Sequence, residues 1–269
     1  MRRTKIICTM GPATDNEDVL RDLMLNGMDV ARLNFSHGSH EEALERINRI
    51  KKVRDELNIP VAILLDTKGP EVRIKDFKEG KVELKEGQKF TLCTDDVVGD
   101  ENQVSITYAN LPNDVKVGSK ILIDDGLIEM EVISVKNSKI LCKVKNGGVV
   151  SNKKGVNVPN VALSMPYMSQ KDIDDILFGI EQDVDFIAAS FVRTANDIRE
   201  IKTLLRDNGG RDIRIIAKIE NAEGVDNIDD IIRETHGIMV ARGDMGVEID
   251  MHDLPVLQKE PYQENIQSR

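Results

Sequence analysis

The sequence has no tryptophan and only 3% aromatic residues, and none of its apolar runs approaches the roughly 18 residues of a membrane-spanning helix. Of its 269 residues, 40% are hydrophobic and 31% are charged, which is typical of an ordinary soluble protein. The chain is long enough for one large domain or two smaller ones with an ample core. A membrane role is therefore not expected.

Cysteine and histidine are also scarce. The three cysteines, Cys8, Cys93 and Cys142, are odd in number and far apart, and they contain no Cys-x-x-Cys pair. This pattern indicates neither a disulfide framework nor a zinc site, so we interpret them as small apolar residues. The four histidines show no spacing typical of metal ligands, and no metal-histidine site is expected.

A secretory leader and an excess of positive charge are missing as well. The first residues, MRRTKIICTMGPATDNEDV, contain a short apolar stretch without a small-residue cleavage site, which predicts a cytoplasmic protein. A net charge of −10 argues against broad nucleic-acid binding, because phosphates would be repelled. An anionic ligand would therefore need a few placed cations or a metal ion.

Six apolar runs have the length and composition of buried strands. They cover residues 5–11, 30–38, 62–69, 186–191, 214–221 and 237–244. Amphipathic segments separate them, with Asp15, Ser39 and Ser169 as candidate helix N-caps and further helices near 195–207 and 225–235. No Gly-x-Gly-x-x-Gly turn opens a helix. The alternation therefore predicts an α/β fold of the TIM (β/α)8 type, incomplete with about six βα units, rather than a doubly wound sheet.

The middle of the chain has a different period. From Glu71 to about Leu163, short segments rich in β-branched residues are separated by turns such as DDG (124–126) and KNSK (136–139). This pattern predicts an antiparallel insertion that forms a small β-barrel. The predicted parts are 1–70, the first part of the barrel; 71–163, the inserted lid; 164–260, the second part of the barrel; and 261–269, a divergent tail.

Polar residues collect at the carboxyl ends of the predicted strands, where barrel enzymes have their chemistry. They are Arg32, Asn34, Ser36 and His37; Asp66, Thr67 and Lys68; Ser190; Lys218 and Glu220; and Arg242 and Asp244. No comparable cluster is found at the amino ends. This asymmetry predicts a functional site.

The stretch IIAKIENAEG places Lys218 and Glu220 on one face of a strand, because side chains alternate across it. Glu220 and Asp244 offer two hard oxygen ligands that suit Mg²⁺ or Mn²⁺. Lys218 would present its charge to a phosphoryl group or a developing enolate, and Arg32 and Arg73 could clamp phosphate oxygens. Such a set suits phosphoryl transfer.

A structural interpretation stays open beside the functional one. Lys218 and Glu220 could form an ion pair that closes the core, with Asp244 as a turn residue after Gly243. The other strand ends carry Asn34, Ser36, Asp66 and Thr67. Residues of these types favour turns and helix caps, so these four could also have a purely structural role.

Seven stretches resemble motifs of the bacterial pyruvate kinase family. They are TKIICTMGPAT, MDVARLNFSHG, LLDTKGPEVR, KKGVNVP, ASFVR, IIAKIEN and VARGDMGVE, in the family's order and spacing, and together they extend from residue 3 to about residue 260. The resemblance implies an (α/β)8 barrel with a small β-barrel lid inserted after the third strand. It also implies phosphoryl transfer from phosphoenolpyruvate to ADP, giving pyruvate and ATP in glycolysis.

The resemblance assigns roles by motif position. Glu220 and Asp244 are similar to the ligands of the Mg²⁺ (or Mn²⁺) that bridges phosphoenolpyruvate. Lys218 is similar to the residue that stabilises the transferring phosphoryl group and the enolate, and Arg32 and Arg73 are similar to the phosphate contacts.

Further positions match the family's other ligands. The residues similar to the K⁺ site are Asn34, Ser36, Asp66 and Thr67, and Glu71 is the variant that accompanies K⁺ dependence. Those similar to the substrate seat are Ala241, Arg242 and Gly243, beside Lys218 and Asp244. Those similar to the nucleotide contacts are Pro12, His37 and Lys154, with Arg32 and Arg73.

The resemblance also implies a chain truncated after the sixth barrel strand, since the family continues through two more strands and a regulatory domain. The family is homotetrameric, and the missing part would include much of its assembly surface. Two alternatives stay open: an inactive remnant that binds metal or phosphoenolpyruvate without turnover, and a metal-dependent pyruvate-enolate aldolase. The large β insertion and the K⁺ pattern argue against the aldolase.

Overall fold

The structure, a computed structural model, describes residues 3–36, 38–249, 252 and 254–259. The chain divides into two compact units. The first unit comprises Met1–Gly69, Tyr167–Ile219 and Asn227–Met239. The second unit comprises Pro70–Pro166, Glu220–Asp226 and Val240–Arg269.

Strands and helices follow one another in a clear order. The strands are β1 (Ile7–Thr9), β2 (Val30–Asn34), β3 (Ala62–Asp66), β4 (Val72–Arg73), β5 (Lys81–Leu84), β6 (Lys89–Cys93), β7 (Gln103–Ser105), β8 (Lys120–Ile123), β9 (Ile128–Lys136), β10 (Lys139–Val144), β11 (Gly148–Ser151), β12 (Gly155–Asn157), β13 (Phe186–Ala189), β14 (Arg214–Ile219) and β15 (Gly237–Val240). The helices are α1 (Glu17–Leu25), α2 (His40–Leu57), α3 (Leu111–Asp114), α4 (Gln170–Glu181), α5 (Ala195–Asp207), α6 (Ala222–Asp226), α7 (Ile228–Glu234) and α8 (Arg242–Glu248), with a 3-10 turn at Pro12–Thr14 and helical residues at 254–259.

The first unit is built on a six-stranded sheet with the order β1-β2-β3-β13-β14-β15. Neighbouring strands from β1 to β14 pair in parallel, so their carboxyl ends lie at the same edge. Ile63, Leu64 and Leu65 of β3 are fully buried, as expected for a strand covered on both faces. All six strands predicted for this part of the chain are confirmed, and so is the α/β class.

The predicted helix starts are confirmed at α2 and α4 and wrong at α1. Ser39 and Ser169 cap α2 and α4. Asn16, and not Asp15, caps α1, because the Asp15 carboxylate instead binds two arginines of α2, a stronger charge-assisted contact. The helix predicted near 225–235 is two short helices, α6 and α7. No helix among the described residues is long and apolar enough to cross a membrane.

The N-cap of α4 gives a measurable stability prediction. Ser169 accepts a hydrogen bond from the Asp172 N–H, and the Asp172 carboxylate accepts one from the Ser169 N–H. Ser169→Ala should lower the free energy of unfolding by about 1 kcal/mol in urea titrations, because one helix donor loses its partner. The exposed Ser134→Ala on β9 is the control. Equal effects of the two substitutions would contradict the capping role.

The second unit contains a seven-stranded sheet, β4-β12-β8-β9-β10-β6-β7, and a separate β11–β5 ladder. The predicted KNSK hairpin is confirmed, since Lys136 pairs with Lys139 around a turn in which Asn137 has φ 51°. The predicted antiparallel pairing of the insertion does not hold for every strand pair. β6 and β7 pair in parallel, because the chain between them returns through residues 94–102 instead of a tight turn.

Two cysteines are core residues, as predicted. Cys93 and Cys142 are fully buried, and burial raises the pKa of both thiols, that of Cys142 to about 12. Because the thiolate is the reactive form, we expect iodoacetamide at mildly alkaline pH to leave both unlabelled in the folded protein and to label them in urea. Peptide mass spectrometry measures the labelling, with the half-buried Cys8 as internal reference. Rapid labelling of folded Cys142 would contradict the prediction.

Candidate functional site

Four side chains of the first unit meet at the carboxyl edge of its sheet. Arg32 lies on β2, Asp66 ends β3, Ser190 directly follows β13, and Lys218 lies near the end of β14. The parallel pairing brings these residues together across large separations in the chain, with Asp66 and Lys218 152 positions apart. We call these four residues the Lys218 cluster.

Asp66 is the centre of the Lys218 cluster. Its carboxylate is 1% exposed, and Oδ1 accepts a hydrogen bond from Lys218 Nζ at 3.0 Å and lies 3.0 Å from Ser190 Oγ. Oδ2 contacts Arg32 Nε at 2.6 Å and Arg32 Nη2 at 2.5 Å. A carboxylate has about four lone-pair positions, and the two cations contact three of them, so Asp66 holds both cations in place.

The Lys218 cluster has one net positive charge, because one carboxylate faces an ammonium and a guanidinium. Arg32 also donates from Nη1 to Thr9 Oγ1 at 2.8 Å, and its side chain remains 27% exposed. A fixed, partly exposed guanidinium beside a held ammonium can contact the oxygens of a phosphoryl group. The cluster therefore presents a fixed positive charge to which an anion would be attracted.

The residues predicted for K⁺ lie together at the ends of β2 and β3. Asn34 is the register partner of Asp66, and its Oδ1 accepts from the Ser36 N–H at 2.9 Å. Thr67 is 3% exposed, and its Oγ1 accepts from the Ser190 N–H at 3.1 Å. Amide, hydroxyl and carboxylate oxygens are suitable ligands for a hard cation. Asp66 would exchange one of its present contacts for such a cation.

The two carboxylates predicted for a divalent cation belong to the second unit. Glu220 directly follows β14 and is 1% exposed, and Asp244 is an exposed residue in the first turn of α8. Within the described ranges, no group of three or more His, Cys, Asp or Glu side chains is arranged to hold a metal. Two carboxylates fit Mg²⁺ or Mn²⁺, which take their remaining oxygens from water and substrate.

The residues predicted to contact the substrate carboxylate lie at the start of α8, and Pro12 and His37 are two of those predicted to contact the nucleotide. Ala241 is the N-cap residue of α8, and Arg242 and Gly243 are exposed residues of its first turn. Pro12 is exposed at the start of the 3-10 turn. His37 lies outside the described residues.

Arg73 and Lys154 lie close together in the second unit. Arg73 makes a bidentate ion pair with Glu71, with Nε–Oε2 at 2.8 Å and Nη2–Oε1 at 2.6 Å, and donates from Nη1 to the Lys153 carbonyl at 2.6 Å. Lys154 pairs with Asp124 at 2.9 Å. These contacts define the Arg73 cluster: Glu71, Arg73, Asp124 and Lys154.

The comparison with protein families decides the identity of the chain. The family model described as pyruvate kinase, barrel domain, matches residues 1–266. The chain belongs to this pyruvate kinase family.

Individual relatives agree with the family assignment. The chain is similar to the pyruvate kinase of Clostridium perfringens, 50% identical over 96% of this chain and 55% of the relative, and to that of Geobacillus stearothermophilus, 54% identical over 96% and 44%. The crystal structure of a pyruvate kinase from Cryptosporidium parvum superposes with a TM-score of 0.93 at 40% identity, over 98% of this chain and 55% of that chain. The chain thus spans about half the length of the pyruvate kinases that it matches.

Two contacts in this chain do not follow from the sequence pattern. The DDG pattern predicts only a turn at Asp124, whereas the structure shows that its carboxylate pairs with Lys154. The pattern predicts only a strand end at Ser190, whereas its Oγ accepts a hydrogen bond from the Lys218 ammonium at 2.8 Å. The positions were visible in the sequence, but the partners depend on strand register.

Glu248 of α8 gives a pH prediction. Burial raises the pKa of its carboxyl above 4.5, although hydrogen bonds from Asn157 Nδ2 and the Ala222 N–H lower it in part. The folded chain therefore holds this proton more tightly than the unfolded chain, and the stability that it contributes is lost as pH rises above 4.5. Glu248→Gln should gain stability over the parent toward neutral pH.

Urea titrations across this pH range measure the effect at Glu248. Glu131 is the matched control, because its hydrogen bond to Lys145 lowers the pKa of its carboxyl. Glu131→Gln should therefore change stability in the opposite direction as pH rises. A parallel pH dependence in the two variants would contradict the burial argument.

Proposed function

We propose that this chain acts as a pyruvate kinase, transferring the phosphoryl group of phosphoenolpyruvate to ADP and giving pyruvate and ATP. Family membership supports the reaction class. The Lys218 cluster is the observation on which the proposal depends, because a buried carboxylate there fixes an ammonium and a guanidinium for an anion. We further propose a cytoplasmic, glycolytic enzyme whose partners are these metabolites and include neither nucleic acid nor membrane.

The proposal includes the finer architecture. A parallel sheet in chain order supports an incomplete (β/α)8 barrel formed by 1–70 and 164–260. The mainly antiparallel sheet between these parts supports an inserted β-barrel lid at 71–163.

Substrate binding would use the net positive charge of the Lys218 cluster. Arg32 would bind phosphoryl oxygens through its exposed guanidinium edge while Asp66 holds Nε. Lys218 would stay bonded to Asp66 and Ser190, so its charge does not need to be reoriented as the phosphoryl group leaves and the enolate forms. Preorganised charge of this kind stabilises the transition state more than the ground state.

We also propose ligands for the two cations. Glu220 and Asp244 would hold Mg²⁺ or Mn²⁺, which when bound neutralises charge on the substrate oxygens. The oxygens predicted for K⁺ are those of Asn34, Ser36, Asp66 and Thr67.

The nucleotide would be held largely by the Arg73 cluster. Arg73 and Lys154 supply positive charge, and Glu71 and Asp124 fix their positions. Pro12, His37 and Arg32 are proposed as further nucleotide contacts. The substrate carboxylate is proposed to lie at Ala241, Arg242 and Gly243.

A coupled assay with phosphoenolpyruvate, ADP, Mg²⁺ and K⁺ tests the proposal by measuring pyruvate with lactate dehydrogenase. We expect turnover that requires both cations. Circular dichroism of the same sample establishes that the chain is folded. Absence of turnover above background in the folded chain would reject the kinase function, and calorimetric binding of phosphoenolpyruvate without turnover would support a binding protein instead.

A further inference from the structure

Ser190, directly after β13, is a buried residue whose hydroxyl contacts both Lys218 and the end of β3. Its side chain is 2% exposed, and its Oγ accepts a hydrogen bond from Lys218 Nζ at 2.8 Å. The same Oγ lies 2.6 Å from the Thr67 carbonyl and 3.0 Å from Asp66 Oδ1. A hydroxyl has one proton to donate and two lone pairs that accept. The Ser190 proton can go to only one of these two oxygens, and a lone pair of Oγ accepts from the Lys218 ammonium.

The backbone around Ser190 is fixed from several sides. Its N–H donates to Thr67 Oγ1 at 3.1 Å, and its carbonyl accepts from the Tyr167 hydroxyl at 3.0 Å. Gly69 has φ +71°, and a Cβ there would approach the Ser190 carbonyl oxygen to 2.6 Å. Glycine is therefore needed for this close approach. Ser190 cannot move away from Lys218 without breaking these contacts.

The turn after Ser190 is strained. Phe191 has φ 53°, in the left-handed region that bulky residues avoid. The next residue, Val192, donates its N–H to the Lys218 carbonyl at 3.3 Å, which ties the turn to β14. Such strain persists only where the surrounding structure determines the conformation. The turn therefore holds the Ser190 hydroxyl against the Lys218 side chain.

We propose that Ser190 is a positioning residue that directs the Lys218 ammonium toward the transferring phosphoryl group. This inference rests on the proposed kinase function. The lysine side chain is a flexible four-carbon stem, and one acceptor leaves its ammonium free to swing. Two acceptors on different strands, Asp66 Oδ1 and Ser190 Oγ, fix the directions of its N–H bonds.

Ser190→Ala tests the inference, with Ser105→Ala as the matched control. Ser105 is equally buried, but it bonds the Asp95 and Val97 carbonyls in the second unit. We expect Ser190→Ala to lower kcat roughly 10- to 100-fold, because a small misplacement of a catalytic group has effects of this size. KM for phosphoenolpyruvate should change little. In a Lys218→Met background, Ser190→Ala should have no further effect on kcat.

A second measurement does not depend on activity. Nitrogen-15 NMR of the lysine ammonium groups reports how fast the Lys218 Nζ protons exchange with water. We expect exchange at Lys218 to accelerate in Ser190→Ala and to stay unchanged in Ser105→Ala.

The outcomes separate the two proposals. Unchanged exchange at Lys218 in Ser190→Ala would overturn the positioning role, as would an equal loss of kcat in the presence and absence of Lys218. If the parent chain shows no turnover, the kinase proposal fails by itself, and the exchange measurement alone decides whether Ser190 holds the ammonium.

Discussion

Lys218→Met is expected to lower kcat about 10³-fold while leaving the chain folded. Methionine is similar in length to lysine but has no charge to offer the transferring phosphoryl group or the enolate. A factor of this size corresponds to about 4 kcal/mol of lost transition-state stabilisation. The fold should survive, because Asp66 retains its ion pair with Arg32, at 2.5 and 2.6 Å, and is not left unpaired.

Lys171→Met is the matched control for this prediction. Lys171 also pairs with a buried carboxylate, that of Asp175 at 2.7 Å, but it lies on α4 outside the Lys218 cluster. Steady-state kinetics should show a loss of kcat for Lys218→Met alone, with similar urea unfolding curves for both variants. Full activity in Lys218→Met would remove Lys218 from the mechanism. Comparable losses in both variants would point to a general effect of losing a buried ion pair.

Much of the first unit could be predicted from the sequence, because its signals are local. Apolar runs such as AILLD (62–66) become strands, and Ser169 with Asp172 three positions later caps a helix. Parallel strands bring their carboxyl ends to one edge, so polar residues at several strand ends predict a site without knowledge of any contact. The pattern thus predicts that Arg32, Asp66 and Lys218 lie at one edge of the sheet, where the structure brings them into contact.

The hydrogen-bond and ion-pair partners of these side chains could not be predicted, because they depend on strand register and on competition between nearby groups. Side-chain alternation along a strand does not indicate that Lys218 pairs with Asp66, because Asp66 ends a different strand. Asp15 and Asn16 are both good N-caps, and the arginines of α2 decided between them. Phenylalanine is a poor candidate for a left-handed turn, so nothing in the sequence marked Phe191.

Asp66→Asn is expected to cost roughly 3–5 kcal/mol of unfolding free energy, because it leaves two neighbouring cations without their shared anion. Asparagine keeps the size of the side chain but turns one oxygen into an NH₂ donor. That donor would face either the Arg32 guanidinium or the Lys218 and Ser190 contacts. One side of the Lys218 cluster therefore loses its acceptor, and Arg32 and Lys218 repel each other without the carboxylate between them.

Two comparisons isolate the charge effect in urea titrations. Asp172 is equally buried, but its carboxylate accepts hydrogen bonds from the Gly69 N–H and from Ser169, which are uncharged donors. Asp172→Asn should therefore cost less than Asp66→Asn. In a Lys218→Met background only Arg32 remains as a cationic partner, so Asp66→Asn should cost about 1–3 kcal/mol less than in the parent. An equal loss in both backgrounds would show that the ion pair between Asp66 and Lys218 does not stabilise the fold.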